Sequence, residues 1–542
     1  MPFVHKLTAF DLDGTLAPSK GNISQTTASL LNDLSKIAKV VIISGGSIKQ
    51  FQKQVLPFIK PNANIILLPT EGSERFEYDE KELKWNMTDK EIFSSEIKKE
   101  VTTVLNEIIS SGLYDIPAGH NGEYIEDRDT EIAFSALGQH APLEEKEKWD
   151  PSREKRRKIK KALESKIKDI SVTISGTTSI DVLPKGFNKA VGLELLLRKM
   201  GIKKEEAIFV GDAIVPGGND YSLMKAGFAV VKVNSPEETE RVIRRWLNPP
   251  IAFFCSEYAL EDNPEMYAGG LGVLAGDYLM EIKDQNFPFT AIGLKYGDKV
   301  PAGFSLLDFT LEVPGIGNIK VWYSSLSKNV EIFLLDSRDI TVKLYDPEIS
   351  TRIKQQMVLG IGGIRLLKKL GIFPKVYHLN EGHTAFAAVA VMIERGEDIG
   401  RIVATKHTIL SAAGLKISFS DLEKLIGSYC GNKFLEIFEK GKYEDGIFST
   451  TRFLLSCAVR KNSVSAIHAV FEKKKHPEST LTAITNGVYR KRWQAKDFYS
   501  RPVMVSDEEL RNIKRKLKIE LFDYVKKVCR KAFSPDICTL VW

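Results

Sequence analysis

The chain has 542 residues, too many for one hydrophobic core; at roughly 150 residues per domain it should divide into three or four. With 43% hydrophobic residues, 27% charged residues and a net charge of +7, it reads as an ordinary globular protein, and no apolar run is long enough to cross a membrane. Basic stretches such as Arg153–Lys161 and Lys473–Lys475 read as solvated helix faces, so neither nucleic acid nor a membrane is expected as a partner. The first fifteen residues run straight into a strand and a motif with no room for a signal peptide, which makes the cytoplasm the expected location. Five scattered cysteines without CxxC spacing fit reduced structural thiols better than disulfides or zinc ligands.

Taken in order, Val4–Phe10 is a short apolar strand ending in charged loop residues. A helical pattern follows over Gln25–Ile37, then a buried strand Val40–Ser44, a glycine turn and a helix Ile48–Val55. Such alternation predicts an α/β unit with a parallel sheet covered on both faces. Between Met87 and Asp181 the pattern changes to charged helices and alternating strands, Glu123–Arg128 and Glu131–Leu137, which predicts an α+β insertion over the sheet. Alternation resumes with helix Lys189–Met200, strands Ala207–Val210 and Phe228–Val233, and helix Pro236–Leu247. The core is thus expected over 1–86 and 182–247, with 87–181 as its insertion and Asn248-Pro249-Pro250 as a linker. A second α/β unit should begin at strand Ile251–Phe254 and continue through helices Gly276–Gln285 and Pro347–Leu370. Strands Lys375–Leu379 and Ile402–Thr405 and a lysine-rich helical region, Asp507–Phe533, complete it. Residues 534–542 read as the start of a further strand.

Asp11-Leu12-Asp13-Gly14-Thr15 directly follows the first strand. Two carboxylates two residues apart at a strand end can divide attack on phosphorus from proton exchange with the leaving or entering oxygen. Carboxylates beside a phosphoryl group repel it, so a divalent cation is implied. Ser44-Gly45-Gly46-Ser47 offers hydroxyl and amide donors at the next strand end, and Lys189 opens a helix where it can offset phosphate charge. Gly211-Asp212 and Gly217-Gly218-Asn219-Asp220 supply further carboxylates after another strand. A lone lysine is usually a surface residue and a lone GD usually a turn; four such elements in this order make a phosphotransfer site.

From Phe10 to about Leu247 these residues resemble the capped phosphomannomutases of the haloacid-dehalogenase superfamily. The resemblance extends to Tyr124-Ile125-Glu126-Asp127-Arg128, to Ser179-Ile180-Asp181-Val182 and to Pro216-Gly217-Gly218-Asn219-Asp220. It implies a Rossmannoid core with an α+β cap, Asp11 as nucleophile and Asp13 as general acid/base. It further implies magnesium held by Asp11, the Asp13 carbonyl and Asp212, with Asp220 in support. Lys189 and either Ser44 or Ser47 would steady the phosphoryl, while Arg128, Ser179 and Asp181 would bind the sugar phosphate. Gln139, Lys146 and Lys20 stand where the family places phosphate-gripping arginines. A glutamine or an ammonium grips phosphate less well than a guanidinium fork. Interconversion of hexose 1- and 6-phosphates, activated by a hexose 1,6-bisphosphate, is therefore the first reading, and a sugar phosphatase the second.

From Ile251 onward the sequence resembles the α-glucan (glycogen) phosphorylases, which implies a Rossmann-like domain of the GT-B type. Met266-Tyr267-Ala268-Gly269-Gly270-Leu271-Gly272 looks like that family's glycine-rich loop, read as preceding a helix, where amides can approach an anion. Tyr377-His378-Leu379-Asn380-Glu381-Gly382-His383 implies that His383 contacts glucose, and Thr485-Asn486-Gly487 also fits the family. His468-Ala469-Val470 and Tyr489 depart from its pattern. The family's second domain, which carries the lysine that bonds pyridoxal phosphate, has no counterpart here, so that cofactor is expected only with a complete phosphorylase half. A truncated chain, a half supplied by another polypeptide and a glucan-binding remnant compete as explanations; truncation is the expectation, because Pro535–Trp542 reads as a strand cut in mid-course. Hexose phosphates and α-glucan are the expected partners, and homo-oligomerisation is left open.

Overall fold

The computed structural model describes residues 5–90, 94–112, 114–117, 121–128, 130–260, 264–409, 414–475, 480–498 and 505–537. The terminal segment 538–542, on which most of the expected further strand falls, lies outside them, and 534–537 form no strand.

Buried apolar runs form the first sheet: β1 (Leu7–Asp11), β2 (Lys39–Ile43) and β3 (Ile65–Leu68), extended by the hairpin β4 (Glu74–Asp79) and β5 (Lys84–Lys90). An antiparallel sheet of β6 (Ile125–Asp127), β7 (Ile132–Ser135), β8 (Ile170–Ser175) and β9 (Ser179–Pro184) stands over it. The chain then returns to the first sheet through β10 (Ala207–Gly211) and β11 (Ala229–Lys232), giving the order β11-β10-β1-β2-β3-β4-β5. Strands β11 to β3 run parallel, and the hairpin strands are antiparallel. The insertion therefore differs from the expected 87–181. Lys84–Lys90 belongs to the core sheet, and Ser179–Pro184 belongs to the cap sheet. Helices Ser95–Ser110 and Glu154–Lys166 close the cap core with Val101, Leu105, Ile159 and Leu163 against Phe134 and Ile180.

The Lys189–Met200 helix has the bounds its sequence punctuation gives. Asn188 Oδ1 accepts from the amides of Ala190 and Val191, and Gly201 takes the left-handed conformation that ends the helix.

The second unit is a nine-stranded sheet containing β12 (Ile251–Phe254), β13 (Phe289–Leu294), β14 (Ser305–Val313), β15 (Gly317–Ser327) and β16 (Val330–Asp336). It continues with β17 (Val376–Asn380) and β18 (Ile402–Lys406). A small sheet of β19 (Lys416–Ser418), β20 (Lys442–Glu444) and β21 (Ile447–Ser449) intervenes before β22 (Arg460–Ser463) and β23 (Thr482–Ala483) complete the large one. The order is β14-β15-β16-β13-β12-β17-β18-β22-β23, parallel from β16 onward.

Two helices depart from expectation. The one read as Gly276–Gln285 begins at Gly270, and the one read as Pro347–Leu370 contains a π turn, Val358–Gly362, between α-helical ends. Glycines let this turn sit against its neighbours: a Cβ on Gly360 would lie 2.3 Å from the Ala387 amide. The lysine-rich helix ends at Cys529 rather than Phe533. Among the described residues, no helix is long and apolar enough to cross a membrane.

The two units are packed together. Trp246, buried in the first core, donates its Nε1–H to the Gly371 carbonyl at 2.7 Å. Arg245 pairs with Glu331 at 2.5 Å, and the His5 ring meets Phe373 edge-on at 5.1 Å. His5 precedes β1, Glu331 lies near the start of β16, and Gly371 and Phe373 precede β17, so these contacts lie at the amino ends of those strands, and Lys232 at the end of β11 adds a contact with Asp308 of β14 at 3.6 Å.

Candidate active site

In the first unit the chemistry-bearing residues collect at the opposite, carboxyl ends. Asp11 ends β1, Ser44 follows β2, Glu71 lies just beyond β3, and Asp212 follows β10. Lys189, fully buried, places its Nζ 2.5 Å from Asp11 Oδ1 and 2.7 Å from Asp220 Oδ1. Asp11, Asp212 and Asp220 each offer an oxygen within 4.8 Å of the others. Burial works against the Lys189 charge, yet Asp11, Asp220 and Glu71 hold its ammonium well above the usual lysine range. Burial likewise pushes Asp11 and Asp212 upward. One cation among three carboxylates leaves two negative charges in a largely buried place, and hard oxygen donors are what Mg2+ takes. The residues therefore fit such an ion.

Gly14 has φ +84°, and a Cβ there would lie 2.7 Å from Asp212 Oδ2, so only glycine lets the first loop approach that carboxylate. The Asp13 carboxylate is not in the three-carboxylate group. Its Oδ1 accepts from the Lys20 amide at 2.5 Å and its Oδ2 from Gln50 Nε2 at 2.7 Å. Ser44 Oγ accepts from the Gly46 amide at 3.1 Å, whereas Ser47 opens the Ile48–Gln54 helix without making a capping bond.

From the cap, Arg128 donates to the Gly45 carbonyl at 2.8 Å, to Glu131 at 2.6 Å and to Glu126 at 2.6 Å. Gln139 is turned to Glu126, with Nε2 to Oε2 at 2.8 Å. Lys146 donates to the Gln139 carbonyl at 2.9 Å, and burial and the neighbouring Lys20 ammonium lower it to about 8. Lys20 and Lys146 thus meet, and among the described residues no carboxylate pairs with either ammonium, which makes a place for an anion. Ser179 pairs with the Ser135 hydroxyl at 3.2 Å, and Asp181 is buried beside Gly45, its carboxyl raised by that burial.

Sequence reasoning missed Gln50, Glu126, Glu131 and Glu71. Glu71 is fully buried, and neither of its oxygens has a hydrogen-bond partner. Its φ is +57° and that of Thr70 is +50°, a left-handed pair without glycine. The available signal was a charged residue just beyond the buried run Ile65–Leu68, in a segment that reads as a turn.

In the second unit a cavity of about 350 Å³ lies at the carboxyl ends of β12, β13, β17 and β18, with Ser256, Tyr296, Glu381, His383 and His407 among its walls. His383 Nε2 accepts from the Ser256 amide at 3.2 Å, and burial lowers the ring to about 3, so it is neutral with its proton on Nδ1. Glu381 sits at φ +71° and clamps the amides of Gly382, His407 and Thr408. Gly270 and Gly272 belong to the first turn of the Gly270–Asp284 helix rather than to a loop before it, and Gly269 is its capping residue. The Glu257 carboxylate lies at that end, accepting from the Ala268 amide at 2.8 Å. Asn486 is exposed and does not line the cavity.

Comparison with known proteins agrees with this division. Residues 8–241 match the family of haloacid dehalogenase-like hydrolases. The phosphomannomutase of Encephalitozoon cuniculi is 26% identical over 245 residues, covering 43% of this chain and 90% of that protein. The maltodextrin phosphorylase of Thermococcus litoralis is 32% identical over 308 residues, 45% of this chain and 36% of its own length. For the glycogen phosphorylase of Aquifex aeolicus the figures are 28%, 46% and 45%. The chain thus spans less than half of either phosphorylase. Its N-terminal part is a haloacid dehalogenase-like α/β core with phosphomannomutase relatives, and its C-terminal region is related to glycogen and maltodextrin phosphorylases.

Proposed function

We propose that the first unit is a magnesium-dependent phosphotransferase acting on hexose phosphates, interconverting 1- and 6-phosphates through an aspartyl phosphate on Asp11. The observation that carries this reading is the buried Lys189 ammonium bridging Asp11 and Asp220 beside Asp212. Lys189 holds Oδ1 of Asp11, which leaves Oδ2 to attack phosphorus, while the charge of Lys189 offsets that of the incoming phosphoryl. Asp13, held by the Lys20 amide and Gln50, exchanges the proton with the leaving or entering hydroxyl. When bound by Asp11, Asp212 and Asp220, Mg2+ would supply the remaining positive charge and polarise a phosphoryl oxygen. Either Ser44, whose hydroxyl accepts from Gly46 and keeps its proton, or Ser47, which makes no capping bond, donates to that group. Lys20 and Lys146 receive the non-reacting phosphate, and Ser179, Asp181 and Arg128 receive the sugar. A hexose 1,6-bisphosphate serves as activator. The scattered free cysteines support a reducing, cytoplasmic setting.

A phosphatase is the second reading, favoured by one feature. Gln139 is tied to Glu126 where a mutase needs a firm phosphate grip while its bisphosphate turns around. For the C-terminal region we propose α-glucan recognition at the cavity around His383; pyridoxal phosphate and phosphorolysis belong to a complete phosphorylase half.

The test is an assay with magnesium and mannose 1-phosphate, with and without a trace of hexose 1,6-bisphosphate, following 6-phosphate product and free phosphate beside Asp11→Asn. Bisphosphate-dependent isomerisation that vanishes in the variant establishes the mutase. Free phosphate alone establishes the phosphatase, and activity that survives in Asp11→Asn overturns both.

A further inference from the structure

We propose that the crevice between the two units is a second phosphate site, separate from the catalytic carboxylates and taking a phosphate dianion, free or as the phosphoryl group of a small ester. One wall is the Pro236–Leu247 helix of the first unit, which contributes Arg241, Arg244 and Arg245. The other is the β15–β16 turn of the second unit, which brings Lys328 with the hydroxyls of Ser325 and Ser327. Four cations therefore line this space against one carboxylate, Glu331.

That carboxylate is already taken. Glu331 accepts from Arg245 at 2.5 Å and from Thr290 at 2.9 Å. The acids nearest the other two arginines hold them only loosely. Arg244 stands 3.8 Å from Glu240, whose other oxygen accepts from Ser24 and Thr27. Arg241 stands 3.5 Å from Glu238, whose other oxygen accepts from Asn234. Among the described residues, no carboxylate pairs with Lys328. The Ser325 and Ser327 hydroxyls donate to the Ser327 carbonyl and to Asn286, so the cations carry the recognition. Positive charge converging in a crevice is the chemistry that recognises phosphate. The volume of about 40 Å³ holds a few water-sized groups, since one water needs about 10–15 Å³ by the same measure. That admits a phosphoryl group but not a hexose, so the sugar of an ester would project into solvent. Because both units supply cations, an anion here braces the junction, and occupancy stabilises the packed pair by mass action.

The experiment is calorimetric titration of the full chain with inorganic phosphate and, separately, glucose 1-phosphate, in chelator, against sodium chloride at matched ionic strength. Arg241→Ala/Lys328→Ala is titrated in parallel; both side chains are exposed, and of the two only Arg241 has a carboxylate contact, a loose one, so their loss leaves the fold intact. Lys146→Met reports binding at the proposed substrate pocket and separates failure of this site from failure of that one. Saturable binding weakened at least about tenfold by the double substitution and kept in Lys146→Met supports the site. The tighter of the two titrants identifies its source. Binding lost in Lys146→Met but kept in the double variant, or an effect reproduced by chloride, overturns it.

Discussion

Replacing Glu71 with glutamine should make the first unit more stable at alkaline pH and leave it nearly unchanged in acid. Burial, with Asp181 and Asp220 nearby and only partly countered by Lys189, pushes the Glu71 carboxyl up from 4.5 to about 7. A carboxyl whose folded value is raised favours the folded state at low pH. That contribution is intact below about 4.5 and disappears as pH rises through about 7. The gap of about 2.5 units, at about 1.4 kcal/mol each, amounts to roughly 3 kcal/mol. The glutamine side chain keeps the shape, carries no charge and brings an N–H that can reach toward Asp181, beside the same Gly45. Thermal unfolding in chelator at pH 5 and pH 8 reads the difference. At about 2–4 °C per kcal/mol for a unit of this size, wild type should lose some 6–12 °C more than Glu71→Gln over that interval. Equal losses in the two proteins would refute the reasoning, because Glu71 would then not ionise in a dry, unpaired place. A variant less stable at both pH values would refute it as well, since the carboxylate would be making a bond worth keeping.

Lys146, lowered to about 8, is charged below that pH; kcat/KM for the hexose phosphate should fall as pH passes about 8, and Lys146→Met should be slower and flat across the same range. Gly14→Ala places a Cβ 2.7 Å from Asp212 at φ +84° and should cost about 1–3 kcal/mol in denaturant unfolding while weakening magnesium affinity in titration. Trp246→Phe keeps an aromatic ring at the junction but strands the Gly371 carbonyl, which should lower stability by about 1–3 kcal/mol in the same assay with kcat unchanged.

The sequence makes the catalytic half legible wherever a local signal and a tertiary demand coincide. Asn188 and Gly201 bracket a helix whose first residue is Lys189, and Ser235-Pro236 opens the Pro236–Leu247 helix with a cap and a fixed φ. Asp11, Asp212 and Asp220 are found because each lies just beyond a buried parallel strand or in the loop that follows one. Legibility fails where pairing is decided at a distance. Glu74–Asp79 and Lys84–Lys90 carry many charged residues, and only their place at the edge of the core sheet makes them its strands. Arg128 is legible as a substrate contact through the family resemblance, but Glu131 and Glu126, which hold its guanidinium, become recognisable as partners only once β6 and β7 pair. Glu71 is the hardest case, because its surroundings come from the cap, from the Lys189 helix and from a left-handed turn without glycine to mark it. Gly270 and Gly272 mislead in the opposite direction: they read as a loop, yet both lie in a helix, and Gly272 lets that helix pack against Glu257 and Tyr267.

The junction constrains how the two halves can cooperate. The Trp246, Arg245 and His5 contacts between them fall near the amino ends of β1, β16 and β17, and Val231 and Lys232 of β11 add contacts to Gly371 and Asp308. Both candidate sites lie at the carboxyl ends of strands in their own sheets. The two sites thus open away from the wall that Trp246, Arg245 and His5 build. What the packing supplies is rigidity: Trp246 completes a buried core in one unit while bonding the backbone of the other, and Gly371 approaches Val231 so closely that a Cβ would stand 2.5 Å from it. Influence from one half to the other must therefore travel as a change in the stability of that wall, and the arginine-lined crevice is where a small anion can make such a change.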